Sequence, residues 1–487
     1  MFTYFKFAVV MLTAAILLIF SGCTDRDSTK IPITTNSDAA LQNYLTGRDL
    51  SEKLRGQESI QYFQKAVEID PNFALAYLNL AQVVPSAKEF FDNLEIAKGL
   101  TGHISEGEKL MISGLDAAVN GFLMKQRAIY TELTKMFPLD ERAHNLLGNH
   151  YFGQQEYLLS IEEYNKAIAI NPAFSQCYNQ LGYAHRFLGQ YELAETDFRK
   201  YIELIPDDPN PLDSYAELLL KMGQYEASIE QYQKALKIDP NFVASHIGIA
   251  TNLNLLNRHT QARSQLVLLN GIARNDGERR ASHFATAVSY IDEGNYAAAL
   301  QEIRTMSGLA QKINDATNLA GDQVLMGLIN LEMGDSKSAA KHYAQAVEIV
   351  EASDLAEDVK NNTRRAYLYN KSRVAVLNQD FELAHQLADK FSAKVAVVNN
   401  PFQTKLTHEL YGIIALREGK HETAIIELNQ ANQQNPYNLY RLHQAYKESG
   451  NPGQARDFRS QALNFNVLNS LNYSFIRDKF GTTAEPM

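Results

Sequence analysis

Residues Lys166–Phe174 read KAIAINPAF. The chain spells nearly the same word twice more, KAVEIDPNF at Lys65–Phe73 and KALKIDPNF at Lys234–Phe242. Each word turns from an apolar, helix-forming run into Asp-Pro or Asn-Pro. Proline cannot extend a helix and disfavours helix in the residue before it, so each word is read as the end of a helix. Pro138, Pro172, Pro206 and Pro240 stand 34 residues apart, and Pro71 stands 67 before Pro138. A fixed period of this size marks a repeat architecture rather than a set of unrelated domains.

Inside the period, residue size recurs with the spacing. Counted from Glu141, Leu147, Gly148 and Tyr151 take places 7, 8 and 11, and Ser160, Tyr164, Ala167 and Pro172 take places 20, 24, 27 and 32. The same places from Ser175 hold Leu181, Gly182, His185, Ala194, Phe198, Tyr201 and Pro206. From Pro209 they hold Tyr215, Ala216, Leu219, Ser228, Tyr232, Ala235 and Pro240. Places 7 and 11 share one helical face, as do 20, 24 and 27. The small residues at 8 and 20 let two helices approach. Gly189-Gln190-Tyr191 and Gly223-Gln224-Tyr225 stop the first helix, because glycine accepts the left-handed conformation of a helix C-terminus.

This pattern resembles the tetratricopeptide repeat, a helix–turn–helix unit of 34 residues. The resemblance implies an all-α fold, a right-handed superhelical solenoid of about ten stacked repeats. It covers roughly residues 40–465 and is strongest at 141–242, with looser punctuation at Gly294-Asn295-Tyr296, Gly334, Asp380-Phe381 and Gly419-Lys420-His421. Residues 86–125 fit poorly and are expected to form a helical excursion with longer helices. The expected organisation is a signal segment (1–22), a flexible tether (23–39), irregular N-terminal repeats (40–140), regular repeats (141–274), degenerate repeats (275–467), and a helix and tail (468–487) that close the open end.

The N-terminus reads as an address. Lys6 precedes an apolar run from Phe7 to Phe20, 14 residues long and short of the ~20 a spanning helix needs. Phe20-Ser21-Gly22-Cys23 is similar to the bacterial lipobox, with Phe20 where leucine is usual. The similarity implies lipidation of Cys23 and anchoring without a membrane span. Thr24 rather than Asp follows the cysteine, which favours the outer membrane, facing the periplasm.

Composition excludes some classes. A net charge of −10 with no concentrated basic face argues against a nucleic-acid partner. Two cysteines, Cys23 and Cys177, give no disulfide framework. His144 and His150 are six apart, and His408-Glu409 lacks a second histidine at ligand spacing, so no metal is expected. No phosphate loop, Gly-x-Ser-x-Gly elbow or His-Glu-x-x-His is present, and no stretch outside the repeats can hold a catalytic core. The expectation is a non-enzyme without a cofactor.

In the resembled family, first-helix places 2, 5, 9 and 12 line the concave face. Here they give Asn145 and Asn149, then Asn179 and Tyr183 flanked by Gln176 and Arg186, then Asp213 and Glu217. Asparagine both donates and accepts, which suits an extended peptide backbone. Asp213 and Glu217 would favour a basic segment. The Lys and Arg that grip a C-terminal carboxylate in some relatives are missing there: Asn145, Asn210 and Ser214 take their places. The expected function is a lipid-anchored envelope scaffold that binds a protein or extended peptide. A carbohydrate- or peptidoglycan-binding module and an unrecognised envelope enzyme are the alternatives.

Overall fold

The computed structural model describes residues 30–481. The signal segment and the lipidation candidate Cys23 lie outside them. Among the described residues there are 25 α-helices, one 3-10 turn and no strand. They form twelve antiparallel hairpins and a terminal helix. Hairpins 1 to 4 are Asp38–Glu52/Gly56–Ile69, Ala74–Val83/Ala87–Gly99, Glu106–Val119/Leu123–Met136 and Glu141–Gly153/Tyr157–Ile170. Hairpins 5 to 8 are Ser175–Phe187/Tyr191–Leu204, Pro209–Lys221/Tyr225–Ile238, Val243–Leu255/His259–Ile272 and Asp276–Asp292/Tyr296–Lys312. Hairpins 9 to 12 are Ala316–Glu332/Ser336–Glu351, Glu357–Leu377/Phe381–Val398, Pro401–Arg417/His421–Gln430 and Pro436–Glu448/Pro452–Leu463. The terminal helix is Leu471–Phe480.

The helix boundaries follow from local chemistry. First helices start on side-chain caps. Asp140 accepts from the N–H groups of Arg142 and Ala143 at 2.8 and 3.1 Å, and Ser105 and Glu108 form a reciprocal capping box. The turn inside a hairpin needs one residue at positive φ. Glycine fills it at Gly189 and Gly223 (φ 74° and 76°), but Leu54, Gln155, Asn257 and Gln379 hold the same conformation (φ 57–63°). Hence the glycine punctuation is missing from hairpins 1, 4, 7 and 10 while the turn itself persists.

The two helices of a hairpin meet at a small residue facing a large one. A Cβ on Gly148 would lie 2.5 Å from the Tyr164 ring, and one on Gly114 would lie 2.1 Å from Tyr130. Both pairs are sixteen residues apart, as are Gly47–Phe63, Gly182–Phe198 and Gly327–Tyr343. Gly114–Tyr130 corrects the reading of 86–125. That stretch is no excursion with longer helices. It belongs to hairpins 2 and 3, whose helices have 10 to 14 residues. The longer helices, 16 to 21 residues, lie in hairpins 8 to 10 and in the first helix of hairpin 11. The count rises accordingly from about ten units to twelve.

The expected flexible tether is also corrected, over its described part. Residues 31–35 run extended across the starts of hairpins 2, 3 and 4. The Ile31 N–H donates to Asp140 at 2.8 Å, Thr34 donates to Glu108 through N–H and Oγ1 at 2.7 and 2.5 Å, and Thr35 Oγ1 donates to Asp70 at 2.5 Å. Lys30 pairs with Glu141. Ile31 and Ile33 add apolar contacts to two core clusters.

Stacking hairpins with a constant rotation winds a superhelix, and here consecutive turns touch. Asn275, between hairpins 7 and 8, donates to Gln57 of hairpin 1 at 2.8 Å. Lys405 of hairpin 11 donates to Gln155 of hairpin 4 at 2.8 Å. Lys221 of hairpin 6 donates to the carbonyl of Phe465 at 2.5 Å. The terminal helix does more than cover the last hairpin. Arg477 reaches the Asn254 carbonyl at 3.3 Å, Tyr296 donates to Asp478 at 2.6 Å, and Phe475 stacks on Tyr296 with ring centroids 5.7 Å apart. One apolar cluster thereby joins Val288, Ile291 and Met326 to Tyr437, Phe475 and Ile476.

Candidate binding groove

The first helices of successive hairpins sit one period apart, so a side chain on one finds a partner 31 or 32 residues later. This governs the residues read as groove candidates. Asn145 donates to Gln176 at 3.1 Å and accepts from the Cys177 thiol at 3.5 Å. Asn149 accepts from the Tyr164 hydroxyl at 2.8 Å. Tyr183 donates to Ser214 at 3.3 Å, Arg186 to Glu217 at 3.1 Å, and Ser245 to Asp213 at 2.7 Å. The Arg186 guanidinium also lies over the Tyr183 ring, 4.7 Å from its centroid.

Six of the eight candidates, all but Asn149 and Asn179, thus form a ladder between hairpins 4 to 7; Asn149 bonds within hairpin 4. Asn145, Asn179 and Asp213 are only 6%, 2% and 3% exposed. Two acceptor or donor atoms among the candidates lack a partner, Asn179 Oδ1 and Arg186 Nε. Burial, then the nearby Glu217, pushes the Asp213 carboxyl well above its usual range, against the Ser245 hydrogen bond. Burial likewise pushes the Cys177 thiol up, so it is an inert packing residue.

Continued through hairpins 9 to 12, the same first-helix places open into a cavity. It has a volume of about 380 Å³ and is walled by Leu328, Tyr369, Arg373, Phe402, Leu406, Glu409, Tyr437 and Arg441, with Ser470 and Asn472 from the start of the terminal helix. A second cavity of about 200 Å³ shares Arg373, Tyr437 and Arg441 and extends to Glu332, Arg417 and Lys479. The first lies within the ~300–1,000 Å³ range of ligand pockets. Counted from Arg365, Tyr369 and Arg373 fall at places 5 and 9, and Glu409 falls at place 5 of the unit begun at Lys405. The same places beyond Glu217 therefore carry the more open site.

Most ionic groups in this region are paired. Glu409 accepts from Arg441 at 2.8 Å, Tyr369 at 3.0 Å and Asn438 at 3.1 Å. Burial alone would raise its pKa, but the Arg441 and Arg373 guanidiniums hold it below the usual range. Glu332 pairs with Lys479 at 3.1 Å and accepts from the Tyr437 hydroxyl. Its burial is likewise outweighed by Lys479 and Arg373. Arg441 lies over Tyr437, 4.4 Å from the ring centroid. Arg373 differs: among the described residues it donates no hydrogen bond, and its nearest carboxylate oxygen, on Glu332, is 3.8 Å away.

The histidines are absorbed into the hairpins. His144 Nδ1 lies 2.6 Å from Glu163, His283 Nδ1 2.7 Å from Glu302, and His408 Nδ1 2.8 Å from Glu427, each pair nineteen residues apart. No cluster of metal-ligating residues occurs among the described residues. Among the described tyrosines, nine are buried in the core. Tyr44, Tyr164, Tyr201, Tyr232 and Tyr343 are among the largest fully buried side chains.

Comparison with known proteins agrees with the geometry. Tetratricopeptide-repeat family models match residues 57–73 and 175–208, 114–174 and, as "TPR repeat", 216–250. A Hsp70-Hsp90 organizing protein of Triticum aestivum is 35% identical over 94 residues, 19% of this chain and 16% of that protein. Anaphase-promoting complex subunit 3 of Schizosaccharomyces pombe is 24% identical over 229 residues, 44% of this chain and 33% of that protein. A UDP-N-acetylglucosamine–peptide N-acetylglucosaminyltransferase of Giardia intestinalis is 26% identical over 121 residues, which are 8% of that enzyme. This chain thus spans a third or less of the length of these relatives. Among solved structures, a tetratricopeptide repeat protein of Parabacteroides merdae has a TM-score of 0.36 at 17% identity, covering 54% of this chain and 98% of that one. The Cut9 and Hcn1 hetero-tetramer of the APC/C gives 0.41 at 15% identity, covering 93% of this chain and 81% of that one. Tetratricopeptide repeats are thus detected in hairpins 1 and 3 to 6, and the other hairpins of the described chain continue the same all-α solenoid.

Proposed function

We propose that the protein is a non-catalytic scaffold of the bacterial cell envelope, anchored by lipid on Cys23, which holds a protein or an extended peptide in the concave groove of its superhelix. One observation carries the binding part. The repeats use up the described chain, and the concave side of hairpins 9 to 12 opens into a ligand-sized cavity of about 380 Å³. Relatives that carry the same repeat include proteins named for organising Hsp70 with Hsp90 and for a place in a multi-subunit complex. The anchoring part is supported by the lipobox-like Phe20-Ser21-Gly22-Cys23. No helix among the described residues is long and apolar enough to cross a membrane.

Site-specific photocrosslinking in the native envelope tests the binding part. A photoreactive phenylalanine analogue replaces Phe402, 41% exposed at the cavity wall, or Leu158, 70% exposed on the second helix of hairpin 4. The expected result is one discrete adduct from position 402 and none from 158. Equal, diffuse labelling from both positions would dismiss the groove. For the anchor, Cys23→Ala is expected to abolish incorporation of labelled fatty acid and to move the chain out of the membrane fraction.

A further inference from the structure

The two cavities of hairpins 9 to 12 meet at Arg373. In the larger cavity two cations, Arg373 and Arg441, face one carboxylate, Glu409. The smaller adds Glu332, Lys479 and the exposed Arg417. Arg441 is matched to Glu409 at 2.8 Å and Lys479 to Glu332 at 3.1 Å, so in the larger cavity one positive charge is left over. It belongs to Arg373, whose side chain is 13% exposed and whose guanidinium has five N–H donors but no hydrogen-bond acceptor among the described residues. Its shortest approach to a carboxylate is 3.8 Å, and it rests over the Tyr369 ring at 5.7 Å. Its N–H groups therefore face the space of the two cavities, where a ligand acceptor can reach them.

The surroundings say what that something is. One surplus charge matches one carboxylate better than a doubly charged phosphate. The wall of the larger cavity is apolar on one side, with Leu328, Phe402 and Leu406. A cavity of about 440 Å³ between hairpins 8 and 9 is lined by Ala281, Phe284, Met306 and Leu325 together with the Arg280–Asp322 ion pair. The space also continues past Arg373 on its far side into the 200 Å³ cavity. A chain seated here has room both before and after the cation, so Arg373 need not mark the end of the ligand.

We infer that this half of the groove binds an extended protein segment whose internal Asp or Glu side chain docks on Arg373, with apolar residues flanking it against Phe402, Leu406 and Leu328. The inference rests on the groove-binding reading above and names its ligand. Planar guanidinium and carboxylate pair through two parallel hydrogen bonds, which a neutral amide cannot reproduce.

Fluorescence anisotropy on the full chain in detergent micelles tests it. The probes are two peptide libraries, acetylated and amidated at their ends, with Leu, Ile, Val or Phe around a fixed central Glu or a fixed central Gln. The Glu library is expected to bind at least tenfold tighter. Arg373→Met is expected to abolish that preference, and Arg373→Lys to keep part of it. The melting temperature of each variant shows whether the fold survives, and the Glu-to-Gln ratio on the unmodified protein stands without any variant. Equal binding of the two libraries overturns the carboxylate inference and leaves the groove reading intact. Binding only of a third, otherwise identical library left with a free C-terminal carboxylate also overturns it. No binding of either library at millimolar concentration overturns both.

Discussion

Asp213 shows how a repeat protein turns a surface place into an interior one. It stands where a solvent-facing groove residue was expected, yet it is 3% exposed and holds Ser245 of the next hairpin at 2.7 Å. Burial and Glu217 raise its pKa in the folded state. The sign of the stability effect follows. Above the unfolded pKa near 3.9, the unfolded chain has released this proton while the folded chain still holds it, so stability falls as pH rises towards the folded value. Each pH unit in that window costs about 1.4 kcal/mol. Asp213→Asn keeps an acceptor for Ser245 and removes the titration. Its denaturation midpoint should match the parent near pH 4 and exceed it at pH 7; a constant difference across that range would reject this account. Which places face the groove was legible from the 34-residue count. That Asn145, Tyr183, Arg186 and Asp213 are claimed by neighbours was legible in principle too, since each partner lies 31 or 32 residues downstream. Arg373 stands out for the opposite reason: the position one period on offers it no acceptor.

At the scale of the hairpin, the decisive contact is the small residue against the large one sixteen places later. A side chain at Gly148 would have to displace the Tyr164 ring, which is fully buried. Gly148→Val should therefore destabilise hairpin 4 by about 1–3 kcal/mol, the usual cost of overpacking. Hydrogen exchange should show the loss in residues 141–170 first, because a solenoid's stability is a sum over units and their interfaces. Unchanged protection there would mean that the ring has another place to go. This small–large offset marks hairpin 3 at Gly114 and Tyr130, beside the glycine turn at Gly121 and the closing Pro138. Periodicity of size survives where punctuation decays, because packing tolerates little change in volume while a turn can be made by Gln155 or Gln379 at positive φ instead of glycine. The irregular look of residues 86–125 reflects their turns, and the helices beneath are ordinary.

For the whole molecule, contacts between superhelical turns matter most, and these are what the sequence could not reveal. Residues 57 and 275, 155 and 405, or 254 and 477 share no motif. They meet because a small rotation per hairpin accumulates until the chain passes over itself. The terminal helix is the clearest case. Its Phe475 is 0% exposed and seals hairpins 8, 9 and 12 into one apolar cluster. Phe475→Ala should cost about 3–5 kcal/mol locally. Proteolysis should then cut first between residues 464 and 480, with hairpins 1 to 5 as resistant as before; uniform sensitivity along the chain would show that the solenoid unfolds as one body.

If Cys23 carries the proposed lipid, the pinned segment at residues 31–35 sets how far the molecule can stand from the membrane. Only seven peptide steps separate Cys23 from Lys30. Fully stretched, they reach about 25 Å. With Cys23 in the bilayer, the edge formed by hairpins 2 to 4 is leashed within one protein radius of the lipid headgroups. Such a molecule samples a thin layer above the membrane and not the aqueous space beyond it, so whatever it captures must itself come to that surface.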